Sequence, residues 1–177
     1  MPKENAVDFY EQNDVVQSIQ DIEKILATDI FTLDQARSPF FKAAFIEVLI
    51  NLRCLMYKAK TFSAKIDFTD DVKIEGKVVD VSELITFVRD ALCHLDLKHH
   101  HVNDGGRVSF NVSFGKRCTI SGLDYRHESL YEDDVAFSFG EQRIYLKRHI
   151  IRAFEEAKSK LIPLLDDYLK SIFVVSH

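Results

Sequence analysis

Arg89 and His94 are the side chains in this sequence best suited to do chemistry together. They stand in SELITFVRDALCHLDLKHHH, residues 82–101, a segment that closes on three consecutive histidines. A guanidinium holds a phosphate through a rigid fork of donors and stays charged at any physiological pH. An imidazole gives and takes a proton near neutrality. The pair therefore suits RNA cleavage without a metal. A neutral histidine takes the proton of a ribose 2′-hydroxyl, that oxygen attacks the adjacent phosphorus, and the arginine stabilises charge building on the non-bridging oxygens.

The element that must hold the pair reads as an amphipathic helix. It begins near Asp80 or Ser82, where Asp80 and Glu83 stand at capping-box spacing. Leu84, Phe87, Val88, Ala91, Leu92 and Leu95 form its apolar stripe, with Arg89 and His94 beside that stripe. Five residues separate the two, so on an ideal helix they point about 140° apart. One helix does not stack them as an i, i+4 pair would be stacked. The same helix packed against its own copy across a two-fold axis would bring two arginines and two histidines into one cleft.

The flanking sequence predicts more helices and a β insertion. Residues 8–27 carry Val15, Ile19, Ile22 and Leu26 at helical spacing. Residues 28–37 are a connector. Ser38-Pro39 starts a second helix, as N-cap and first helical residue, that runs to about Lys60 and is apolar around much of its circumference, as a central buried helix is. Residues 61–80 form a polar loop. After the histidines the period changes to alternation. RVSFNVSF and KRCTISGL predict one hairpin turning at Phe114-Gly115-Lys116, and VAFSF and RIYL predict a second around Gly140. Asp124 to Glu128 read as a polar loop between them. A final helix spans about Leu146 to Ser171, with a kink at Pro163. The expected fold is mainly α: a single domain over residues 1–177, an up-and-down four-helix bundle with a small antiparallel insertion of two hairpins, about residues 107–145, between helices three and four.

Composition narrows the function classes. The chain has 177 residues, 46% apolar and 29% charged, which suits one domain with a full core. Its net charge of −5 disfavours sequence-independent duplex binding, which needs many cations on phosphate, and leaves room for a small local basic site. Three widely spaced cysteines without a CxxC pair fit free thiols in a reducing cytoplasm. The polar N-terminus does not read as an export signal, and no apolar run is long enough to span a membrane.

Arg89-Asp90-Ala91-Leu92-Cys93-His94 resembles the R-x4-6-H signature of the HEPN superfamily, helical domains common in prokaryotic toxin–antitoxin, abortive-infection and phage-defence systems. Asp90, directly after the arginine, and the motif's place late in the third long helix also match. The resemblance implies a four-helix bundle, a homodimer joined through the motif helices, and a metal-independent endoribonuclease with no cofactor and with an antitoxin protein as a possible partner. It implies Arg89 as the phosphate-binding residue, His94 as the catalytic histidine and Asp90 as an aid to positioning. One subgroup carries a tyrosine two residues after the histidine as a modification target. Asp96 stands there, so that control is not implied.

Other readings of the same residues stay open. Arg89 could be a surface partner of Glu83, Asp90 or Asp96, and His94 a helix-end residue favoured by the helix dipole. A non-catalytic nucleotide-binding or protein-interaction module of the same fold would use the same helix. His99, His100 and His101 invite a metal, with Asp96, but adjacent residues rarely converge on one ion. They fit better as a solvated rim, where Lys98, His99, His101 and Arg107 would contact RNA. Arg143 and His149 repeat the motif's spacing, but they straddle a predicted strand–helix junction and read as accidental.

Overall fold

The computed structural model describes residues 7–94, 107–121 and 126–174. Helix α1 is Phe9–Leu26, α2 Pro39–Phe62 and α3 Val81–Cys93. Each starts on a side-chain cap that satisfies an orphan N–H of the first turn. Asp8 accepts from Glu11 N, Ser38 from Phe40 N with Pro39 as first helical residue, and Asp80 from Glu83 N. All three starts follow the sequence reading.

Strands follow as β1 Asn111–Phe114, β2 Arg117–Ser121, β3 Arg126–Ser129, β4 Val135–Phe139 and β5 Gln142–Tyr145. They form an antiparallel sheet ordered β1-β4-β5 and a separate pair β2-β3. The expected hairpin at Gly140 is present: Phe139 faces Gln142 across a two-residue turn, and Gly140 sits at φ 51°, a conformation glycine adopts without strain. The other expected hairpin is not. β1 pairs with β4, Phe114 opposite Val135, while β2 pairs with β3. Gly115 does turn the chain, at φ 71°, but its N–H bonds the Asp134 carbonyl and steers β2 away from β1. Part of the segment read as a polar loop is therefore strand β3.

The last predicted helix is also corrected. It divides into a π-helical segment Leu146–Ile151, helix α4 Arg152–Leu161, a 3₁₀ turn Ile162–Leu164 and helix α5 Asp167–Val174. Pro163 cannot donate to a continuing helix, and Leu165 leaves in extended conformation.

Helix α2 is the hub. It packs against α1, α3 and α4, and Phe45, Val48, Leu49, Leu52 and Leu55 are completely buried along it. Its N-terminal half meets the three-stranded sheet through aromatic rings. Phe45 stacks on Phe137 with centroids 3.9 Å apart, while Phe31 and Phe41 approach the same ring edge-on or tilted. Lys58 on α2 reaches Glu11 and Asp14 on α1, and Lys158 on α4 bonds Glu23 on α1 at 2.7 Å. The chain is thus mainly helical with a small antiparallel sheet on one hydrophobic core.

Candidate functional site

Helix α3 is set by its N-terminus. Asp80 both caps the helix and accepts an ion pair from Lys65, and Ser82 donates to the Ile66 carbonyl. The start of α3 is therefore tied to the chain just beyond the end of α2, and α3 runs back along α2. Leu84, Ile85, Val88, Ala91 and Leu92 are buried and fix its rotation. Glu83, Thr86, Arg89 and Asp90 are left on the half-covered side.

Arg89 lies in the third turn with its side chain 23% exposed, and its Nη1 sits 3.0 Å from Asp90 Oδ1. Asp90 is thus its partner among the described residues, and Asp96 lies outside them. His94 is exposed, and it is not on the helix, contrary to expectation. The helix ends at Cys93; His94 is its C-cap, at φ −127° and ψ 88°, with its N–H on the Asp90 carbonyl. The 140° offset of an ideal helix accordingly does not govern the imidazole. Its backbone has left the helical path, about 7.5 Å along the axis from Arg89. Arg107 is exposed ahead of β1. Lys98, His99 and His101, like Asp96 and His100, lie outside the described residues. Among the described residues no cluster of three His, Cys, Asp or Glu could hold a metal, and no helix is long and apolar enough to cross a membrane.

A groove of about 290 Å³ lies between α2 and α3, the helix that carries Arg89. Arg53, Tyr57 and Lys60 line it from α2, Ser82, Glu83 and Thr86 from α3, and Lys65 closes one end. Arg53, Tyr57 and Lys60 share one helix face by their spacing. Neither Arg53 nor Lys60 has a carboxylate within ion-pair distance among the described residues. Sequence reading missed all three, because cations on a long apolar helix look like ordinary solvated positions. Their only signal was the i, i+4, i+7 spacing along the flank of the apolar face.

The Arg143–His149 pair does straddle a strand–helix junction, between β5 and the π-helical segment. His149 is completely buried. Its Nδ1 accepts from Tyr145 N at 3.1 Å, and Nε2 lies 3.0 Å from the Asp70 carbonyl. A carbonyl only accepts, so Nε2 carries the proton and the ring is neutral. Burial pushes its pKa below the usual histidine value, against the opposing pull of Asp70, Asp71 and Asp134. Beside it a cleft of about 350 Å³ is lined by Asp70, Asp71, Asp133, Lys147, Arg148 and Arg152. Its cations are all paired. Arg148 bonds Asp133 and buried Asp134, Arg152 bonds Asp70, and Lys147 lies 3.7 Å from Asp133. Arg148 and Arg152 also lie on the Tyr131 and Phe68 rings. These contacts hold the 66–80 loop and the β3–β4 turn against the π-helical segment, which accounts for the cleft as a structural junction.

No family model, curated protein or solved structure matches this chain.

Proposed function

We propose that this chain is a HEPN-like endoribonuclease that acts as a homodimer, as the toxin or effector of a defence system, and cleaves RNA without a metal. The observation that carries the reading is the end of α3: a half-buried Arg89 steadied by Asp90, with an exposed His94 released from the helix directly after it. Asp90 fixes the guanidinium while leaving other N–H donors for a phosphate. His94, unprotonated, accepts the 2′-hydroxyl proton. The 2′-oxygen then bonds to phosphorus as the bond from phosphorus to the 5′-oxygen breaks, and His94 of the second copy protonates the leaving oxygen. The products are a 2′,3′-cyclic phosphate and a 5′-hydroxyl end. In a two-fold dimer Arg89 from both copies faces the phosphate. Lys98, His99, His101 and Arg107 are the residues proposed to contact the RNA, and an antitoxin protein is the expected regulator.

The test is cleavage of RNA in EDTA with mass analysis of the new ends. His94→Ala and Arg89→Ala are each expected to lower the rate at least about a hundredfold, the lower range for losing an acid–base group or a charge-stabilising donor. Cleavage that survives both substitutions, or that leaves 5′-phosphate ends, counts against the reading. The Arg89–Asp90 pair also favours a second reading, a non-catalytic RNA- or nucleotide-binding module, because it occupies part of the guanidinium. That module would bind and leave its ligand intact.

A further inference from the structure

We propose that the α2–α3 groove is the track that holds single-stranded RNA leading to Arg89 and His94. This rests on the ribonuclease reading above and adds a binding surface of its own. The chain carries a net charge of −5, yet this groove gathers Arg53, Lys60 and Lys65 against one lining carboxylate, Glu83. Lys65 is held by Asp80, while Arg53 and Lys60 are left to bind an anion. The cleft at the π-helical segment, of similar size, has every cation paired, so the two cavities differ in what they can take up.

Tyr57 stands between Arg53 and Lys60, neither of them ion-paired among the described residues, and is 69% exposed. No ring is recorded against it among the described residues, so its face is open to an unpaired base. Cations alternating with an exposed aromatic are what single strands use: phosphates on the charges, a base on the ring. The register also fits. Lys60 to Arg53 covers about 10 Å along α2, and Ser82 to Arg89 covers about the same distance along α3. Arg89 follows Ser82 and Thr86 at i+7 and i+3, so it continues the α3 face that lines the groove. A strand entering at Lys60 and Lys65 passes Tyr57 and Arg53 and arrives at the motif.

Binding is measured apart from cleavage in a His94→Ala background, by fluorescence anisotropy of a labelled single-stranded RNA dodecamer in EDTA over a salt series. Arg53→Ala/Lys60→Ala is expected to weaken binding about tenfold or more and to reduce the salt slope by about 1.4, the value for two lost single-strand phosphate contacts. Tyr57→Ala should weaken it about fivefold to a hundredfold, the range of one base–aromatic stack, and Tyr57→Phe should restore it. Lys24→Ala/Lys170→Ala changes net charge equally on remote helices and should leave affinity within about twofold. Arg53, Tyr57, Lys60 and Lys24 are exposed and Lys170 is half-buried, and unchanged thermal unfolding confirms that each variant is folded. If the His94→Ala chain binds RNA and either groove substitution leaves affinity and slope unchanged, the track is overturned while the ribonuclease reading stands. If that chain binds no RNA, both are overturned.

Discussion

At the scale of single residues, the same two side-chain types serve opposite ends in this chain. His94 is exposed at a helix terminus, where an imidazole can reach a substrate proton. His149 has both nitrogens engaged and no access to solvent, which makes it a pin between the Asp70 loop and the π-helical segment. Its protonation would set an Nδ1–H against the Tyr145 N–H, two donors with no acceptor between them. The fold therefore holds the neutral ring and lowers its pKa, with the charges of Asp71 and Asp134 opposing and Arg143 assisting. Below the unfolded value of about 6.5 the unfolded chain takes up a proton that the native chain refuses. Stability is then fully present above that value and declines as pH falls, at up to about 1.4 kcal/mol per pH unit until the native ring itself titrates. Urea midpoints measured from pH 7.5 to 5.0 should show this decline. His149→Gln supplies a donor and an acceptor that do not titrate, so it should flatten the profile; an equally steep profile would place the acid sensitivity elsewhere. The two R-x-H spacings were legible in the sequence. Which histidine is exposed was not, because burial of His149 depends on a carbonyl 79 residues away.

At the scale of elements, legibility follows the range of the interaction that builds each one. The starts of α1 to α3 were read closely because the apolar period of all three and the Ser38 and Asp80 caps are local signals; the Asp8 cap of α1 was not singled out. The end of α3 was misplaced because Leu95 continues the apolar stripe past Cys93. The β4–β5 hairpin was read from a two-residue turn. β1 was assigned the wrong partner because strand pairing beyond a tight turn is decided by packing, here Phe110, Phe114 and Phe137 meeting Phe41 on α2. The π-helical segment leaves no mark in the sequence pattern. Its first turn is held by Asp134, which accepts from Lys147 N and Arg148 N and lies in the turn before β4. Of the elements, α3 matters most for the proposed chemistry, and its N-cap can be tested. Asp80→Ala removes the cap to Glu83 N and the partner of Lys65, and should cost about 1–2 kcal/mol in urea unfolding. Asp80→Asn keeps the cap and loses the charge, so it should recover most of that. The alanine variant should also exchange the α3 amides faster than those of α1, which hydrogen exchange resolves. Equal acceleration in both helices would mean that Asp80 does not act locally.

For the whole molecule, the net charge of −5 sets what association can depend on. Two copies repel each other at long range, so the proposed homodimer has to be held by apolar contact near the motif helix rather than by charge. Ile50, exposed on α2 one turn from Arg53 on the side toward the N-terminus, is suited to such a seam. On the proposed reading RNA meets a chain of net negative charge and is held at the cations of the α2–α3 groove and of the cleft rim. Salt therefore acts on the two equilibria in opposite directions. Between about 0.1 M and 1 M the screening length falls from about 10 Å to about 3 Å. The dimer should then hold equally well or more tightly in sedimentation equilibrium, while the initial cleavage rate at subsaturating RNA falls over the same series as phosphate contacts weaken. Ile50→Glu places a charge in the apolar seam and should shift the chain toward monomer at every salt concentration, carrying the cleavage rate down with the dimer fraction. A dimer that dissociates as salt rises would be held by ion pairs, and the seam would have to be sought among the charged faces of α1 and α4. Cleavage that persists in a monomeric Ile50→Glu chain would make one Arg89 and one His94 sufficient, and the two-copy site unnecessary.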